Sequence, residues 1–349
     1  MLRGAVLRCG MEPSYQIFTQ RLPLTNPWTI SRGTAAHKEY SYLEYRQGGH
    51  TAWGEAAHNS RYGESLESVR AGLEAGMALV LEMPENPAAG AARIQAAAGL
   101  PRSARAALDM ALLDLEGKQS GLPARTILGV PDQIPPVTSF SIGIDDLDTI
   151  RAKVLAAKDY AVLKIKLGTE DDEAIMEAVR RVTGQTLRVD ANEGWKDPET
   201  ALRHILRLAG QGVELIEQPL PAGRLEEVAW LRERSPLPIF ADEDVMDSAD
   251  IPRLAGAYHG VNIKLMKAGG PREAWRMIQL AREHGLQIML GCMIESSCGI
   301  SAAAHLSGAV DYVDLDGHLL LASDPFRGLR LEDGRVRTSG HPGLGVEPV

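Results

Sequence analysis

The sequence predicts an α/β protein: a closed barrel of eight strand–helix units, with a separate α+β domain ahead of it. Three observations point there. From Val137 onward, runs rich in apolar and β-branched residues recur at 137–144, 162–168, 186–195, 213–220, 238–245, 260–266, 287–293 and 312–317. They start roughly 25 residues apart, which leaves room for a strand, two loops and a helix of about three turns. Runs such as VLKIKLG and VNIKLM are apolar at nearly every residue, as in a parallel sheet covered on both faces. Between the runs, segments 170–183, 197–210, 225–234 and 271–284 carry apolar residues at helical spacing among charges. Eight such units in series favour a closed barrel over an open doubly wound sheet. No GxGxxG turn follows a first strand, which further disfavours a nucleotide-binding sheet.

The segment before the barrel has another pattern. Residues 15–46 read as an extended hairpin punctuated by TNP and RGT, and 65–121 as largely helical. In ALDMALLDLEG, Leu108, Leu112 and Leu115 form an i, i+4, i+7 stripe. The expected division is an α+β capping domain over 1–125, the barrel over 126–320, and a C-terminal segment, 321–349, that packs back on the first domain.

Composition narrows the function. A chain of 349 residues is long for one core. Its formal net charge of -9 and lack of a basic run give no electrostatic reason to bind nucleic acid or an anionic membrane. Cys9, Cys292 and Cys298 have neither the count of a disulfide framework nor the CxxC spacing of a zinc site, so a reducing, cytoplasmic setting is expected. The apolar stretch within residues 1–10 is too short and interrupted for a signal peptide, and Met11 is an alternative start. No stretch reaches the roughly 18 apolar residues of a membrane helix. A small-molecule substrate and a homo-oligomer are expected.

Barrel active sites lie at the C-terminal ends of the strands, and several charged residues fall there. Strand three ends in RVDANEGW, strand four in LIEQPLP and strand five in FADED. Asp190, Glu217 and Asp242 therefore come from three neighbouring strand ends. Three hard oxygen ligands without His or Cys suit Mg²⁺; the alternative is that each acid caps the following helix. Lys164 and Lys166 share a face of strand two, and Lys264 lies on strand six. In an eight-stranded barrel strands two and six are opposite, so Lys166 and Lys264 can reach a substrate from its two sides. That suits 1,1-proton transfer, with Lys164 and the metal lowering the Lys166 pKa and the metal stabilising the enolate charge. The alternative is that the lysines snorkel outward. Lys267 reads as a loop or supporting residue. Asp314 and Asp316 in VDLDG share a face and could grip an ammonium group, or form a turn before Gly317.

These residues resemble the muconate lactonising subgroup of the enolase superfamily, from LPLTNPW to PGLG. KIK at 164–166, VDANEGW, IEQP, ADED and NIKLMKAGG carry the likeness. The resemblance implies a modified TIM barrel, (β/α)7β, under a capping domain, with Mg²⁺ at Asp190, Glu217 and Asp242. Lys166 and Lys264 would be the acid/base pair, supported by Asn192 and Glu243. DLDG looks like the element with which dipeptide epimerases hold the free amino terminus. Arg32 in ISRGT resembles the arginine that meets the glutamate side chain in L-Ala-D/L-Glu epimerases; it could also be a surface charge. RYGES, 61–65, looks like the second capping loop of that group. Ser141 in FSIG stands where a threonine is often found. The expected activity is Mg²⁺-dependent epimerisation of a dipeptide at its C-terminal residue. The competing expectations are an N-acylamino acid racemase, an o-succinylbenzoate synthase, or a non-catalytic binding barrel.

Overall fold

The computed structural model describes residues 12–349; Cys9 and the alternative start at Met11 lie outside the described residues. Strands β1 (Ser14–Ile30) and β2 (Gly33–Gln47) form a long antiparallel hairpin that turns at Ser31–Arg32, within the RGT signal. TNP does not end a strand. It falls inside β1, where the register shifts between Pro23 and Trp28, because two prolines without N–H groups cannot continue the ladder. A third strand, β3 (His50–Ala56), pairs with β2 beyond the expected hairpin.

Helices α1 (Leu66–Leu81), α2 (Pro87–Ala96) and α3 (Arg102–Ser120) cover one face of this sheet. Ser65 and Ser68 form a capping box on α1, Asn86 caps α2 ahead of Pro87, and Gly121, at a φ of 73° that most side chains avoid, stops α3. Period-two alternation gives β2 two jobs. Leu43 and Tyr45 pack with the Leu108, Leu112 and Leu115 stripe of α3, whereas Tyr40 and Tyr42 join the barrel's core. The β3–α3 contact is close: a Cβ on Gly54 would lie 2.0 Å from the Ala107 carbonyl oxygen. Gly54→Ala is therefore expected to destabilise the protein by about 1–3 kcal/mol, seen as a lower midpoint in denaturant with α3 moved outward.

The eight barrel strands are β4 (Ser139–Ile142), β5 (Val162–Lys166), β6 (Thr186–Asp190), β7 (Val213–Glu217), β8 (Ile239–Ala241), β9 (Gly260–Lys264), β10 (Gln287–Gly291) and β11 (Tyr312–Asp314). All neighbours pair in parallel in sequence order. The Thr138–Val313 bridge joins the first strand to the last. Each strand is shorter than its apolar run. The run 186–195, for example, stops being a strand at Asp190 because the chain turns sharply, with Asn192 and Glu193 at φ 45° and 66°. Helices follow the first seven strands, but only the short turn Gly317–Leu320 follows the eighth, giving the (β/α)7β pattern. The chain then returns to the N-terminal sheet. Phe326 packs against Trp53 at 5.3 Å between ring centroids, and Asp114 of α3 accepts from the Leu344 N–H at 2.8 Å.

Candidate active site

The strand ends bring the three acids together. Asp190 and Glu217 end β6 and β7, and Asp242 follows β8 by one residue; each offers an oxygen within 4.8 Å of the other two. All three are buried. One oxygen of Glu217 accepts from Asn262 Nδ2 at 2.8 Å. The other, Oε2, has no aligned hydrogen bond, although Lys164 Nζ lies 2.7 Å away. Three hard carboxylates converging, one with an unsatisfied buried oxygen, fit a small divalent cation such as Mg²⁺.

Burial opposes charge on all three acids, and their neighbours decide the outcome. Lys166 and Lys164 hold Asp190 below the ordinary aspartate range despite burial, and Lys264 and Lys267 do the same more strongly for Asp242. At Glu217, burial and the Asp190 charge push the carboxyl up to about 7 against the pull of Lys164. A cation at the triad would favour the ionised form of each.

The two opposed lysines are in place. Lys166 Nζ lies 2.6 Å from Asp190 Oδ2 and Lys264 Nζ 2.7 Å from Asp242 Oδ2, from strands two and six on either side of the acids. Lys164 is more enclosed than expected. Its ammonium lies within 3.2 Å of Asp190 and 2.7 Å of both Glu217 and Asp314. Burial would drive off its proton, but these carboxylates raise its pKa well above the ordinary value. Its positive charge is thus matched locally, which differs from a bare second ammonium pressing on Lys166.

Asp314 ends β11, as expected, but Asp316 does not share its strand face. The strand stops at Asp314, and Asp316 begins the turn Gly317–Leu320, so period two no longer applies. Asp316 reaches the same cavity by that turn and accepts from the Ser141 N–H at 2.6 Å. Asp314 accepts from Ser139 Oγ at 2.6 Å as well as from Lys164. Burial and the Asp314 charge push the Asp316 carboxyl up to about 6.

The cap closes the barrel mouth over a cavity of about 660 Å³. Arg32, at the hairpin turn, lies 2.9 Å from Glu243 Oε1 as an ion pair without hydrogen-bond alignment, and donates to the Asn192 carbonyl and Glu193 at 3.2 Å. Arg61 of the second capping loop grips Glu193 with two bonds of 2.8 and 2.9 Å. Asn192 also donates its main-chain N–H to Asp190.

Comparison with known proteins places this architecture. Residues 14–129 match the mandelate racemase / muconate lactonizing enzyme N-terminal domain, and 149–349 the enolase C-terminal domain-like family. The chain belongs to the mandelate racemase / muconate lactonizing enzyme family. It is 40% identical to the L-Ala-D/L-Glu epimerase of Bacteroides thetaiotaomicron over 97% of this chain and 89% of that one. Among solved structures it resembles an enolase family member from Agrobacterium tumefaciens with homology to dipeptide epimerases, bound to sodium and L-Ala-L-Glu. That likeness has 39% identity and a TM-score of 0.84, over 93% of this chain and 98% of that one. The dipeptide epimerase of Enterococcus faecalis complexed with Mg and L-Leu-L-Tyr is similar at 30% identity and TM-score 0.89, over 96% and 99% of the two chains.

Within this family member, several supporting residues escaped the sequence reading. Asn262 stands two residues before Lys264 on β9, so strand alternation could have marked it as inward-facing. Gln218 turns at φ 33° and accepts from the Asp242 N–H at 2.9 Å, fixing the third acid. Lys267, read as a loop or supporting residue, takes the supporting place: it sits in the short helix Leu265–Ala268, buried and bonded to the side chain and carbonyl of Asp242. Glu55 of β3 crosses from cap to barrel, accepting from Ser296 and Gly299 beyond strand seven; nothing in the local sequence shows this.

Proposed function

We propose that the protein is a Mg²⁺-dependent dipeptide epimerase that inverts the α-carbon of the C-terminal residue. The observation that carries this reading is a pair of buried lysines on opposite strands, flanking a triad of acids and accompanied by a carboxylate pair, Asp314 and Asp316. Asp190, Glu217 and Asp242 hold the cation, which supplies electrostatic stabilisation for negative charge on the substrate carboxylate. Lys166, as free amine, takes the α-proton from one face, and the C–H electrons pass into the carboxylate. Lys264, as ammonium, returns a proton to the opposite face; the reverse direction exchanges the roles.

The remaining residues orient the substrate. Lys164 ties Asp190, Glu217 and Asp314 into one network beside the reacting carbon. Asp314 and Asp316 accept from the free amino terminus, and Ser141 fixes Asp316. Asn192 steadies Asp190. Arg32 and Glu243 border the C-terminal side chain, where the guanidinium favours glutamate. We therefore place L-Ala-L-Glu, a murein-derived peptide, among the preferred substrates, in the cytoplasm. In support, Cys292 and Cys298 are free thiols, and no described helix is long and apolar enough to cross a membrane.

The test is incubation with Mg²⁺ in D₂O of L-Ala-L-Xaa dipeptides beside the corresponding N-succinyl-L-Xaa amino acids. The expected result is a one-unit mass gain at the C-terminal residue and growth of the L,D diastereomer, greatest for L-Ala-L-Glu, with the blocked compounds inert. Exchange confined to the blocked compounds would assign racemisation of N-acylamino acids. No exchange in either set would remove the carbon-acid chemistry.

A further inference from the structure

Of the arginines and lysines lining the cavity, Arg32, Arg61, Lys164, Lys166 and Lys264 each lie within 2.9 Å of a carboxylate. Lys38 of β2 lines the same cavity but has no carboxylate in ion-pair reach among the described residues. Burial pushes its ammonium below the ordinary lysine value, with no opposing charge. A half-buried cation without a partner carries a desolvation cost that an incoming anion would relieve.

Its place in the sheet says which end of a dipeptide it meets. Lys38 shares a face of β2 with Tyr40 and Tyr42, which pack into the barrel. Its cross-strand partner is Leu22. Two residues along, Leu24 bridges to Leu321, and the Ala322 N–H donates to the Pro23 carbonyl. Lys38 therefore lies over the strand-eight side of the mouth, where Asp314 and Asp316 are. Arg32 instead reaches Asn192, Glu193 and Glu243, beyond strands three and five. The neighbouring Glu39 also lines the cavity, but its cross-strand partner is Arg21 and it forms no ion pair with Lys38 among the described residues.

We propose that Lys38 selects the charge of the substrate's N-terminal side chain, accepting aspartate or glutamate there and disfavouring lysine or arginine. This rests on the dipeptide reading and extends the substrate class beyond L-Ala-L-Xaa. The amino clamp and Lys38 then address one residue, while Arg32 addresses the other.

The experiment compares kcat/KM of the Mg²⁺-loaded enzyme for L-Glu-L-Ala, L-Ala-L-Ala and L-Lys-L-Ala. Wild type should favour L-Glu-L-Ala over L-Lys-L-Ala by about tenfold or more, the worth of one charge-assisted contact. Lys38→Met should erase the preference and Lys38→Glu reverse it. The ratio of L-Ala-L-Glu to L-Ala-L-Ala should stay as in wild type. Equal rates for the two charged substrates in wild type would overturn the proposal without any variant. So would a Lys38→Glu enzyme that turns over L-Ala-L-Ala with the wild-type charge preference, or one in which only the L-Ala-L-Glu ratio moves. Silence toward every dipeptide would overturn the dipeptide reading itself, and this inference with it.

Discussion

Lys166→Ala and Lys264→Ala should each lower epimerisation by about 10³-fold or more, at the strong end of the 10²–10⁴-fold range of a positioned acid or base. Both diastereomers must lose or gain a proton at each lysine, so either variant blocks the net reaction in both directions. Solvent exchange separates the two. The lysine that remains still faces the α-hydrogen of one diastereomer, and can remove that proton and return a deuteron to the same face. Lys166→Ala should thus exchange deuterium into one isomer without inversion, and Lys264→Ala into the other. NMR of each pure diastereomer in D₂O reads this directly. Exchange of both isomers by both variants would show that neither lysine is confined to one face. Thermal melts should accompany these assays, because each substitution removes an ion-pair partner from a buried acid, Asp190 or Asp242.

The features legible in the sequence were those with a period. Strand alternation put Lys164 and Lys166 on one face, and the regular spacing of eight apolar runs placed Lys264 opposite. The spacing predicts eight strand–helix units, and only the family resemblance implied (β/α)7β; the final helix is lost where the chain leaves for the cap at Gly317–Leu320. The reading failed where local chain reversal took over. Asp316 lies past the end of β11, so its approach to the cavity depends on a turn that alternation does not describe. Pro23 and Pro27 mark a bulge rather than a strand end because β1 retains pairing on both sides of the break. Contacts such as Arg32 with Glu243, or Glu55 with Ser296, join residues far apart in the chain. Neither partner announces the other, and only the docking of cap on barrel sets the pair.

That docking seam contains the second large expected effect. Glu55 accepts from Tyr42, from the Ser296 N–H and hydroxyl, and from the Gly299 N–H. Four donors favour its anionic form, although burial pushes its pKa up. Glu295 is equally buried and, among the described residues, accepts only the Met293 N–H. The two carboxyls are near neighbours: a Cβ built on Gly299 would lie 2.3 Å from one and 3.1 Å from the other. Burial and the Glu55 charge push Glu295 from 4.5 up to about 8, so in the fold it holds a proton that the unfolded chain has released. Between these values the native state binds the extra proton, and stability falls as pH rises, by about 1.4 kcal/mol per unit from this group. Above about pH 8 both states have lost it and the slope from Glu295 ends. Glu295→Gln keeps the shape, and its amide can donate as the protonated acid does. The variant should match wild type near pH 4.5, gain on it steadily to about pH 8, and hold a constant lead beyond. Denaturant midpoints at several pH values measure the difference, in which titrating groups distant from Glu295 cancel. A lead that does not grow between pH 5 and 8 would mean that Glu295 is ionised in the fold and the cap–barrel seam carries two adjacent charges.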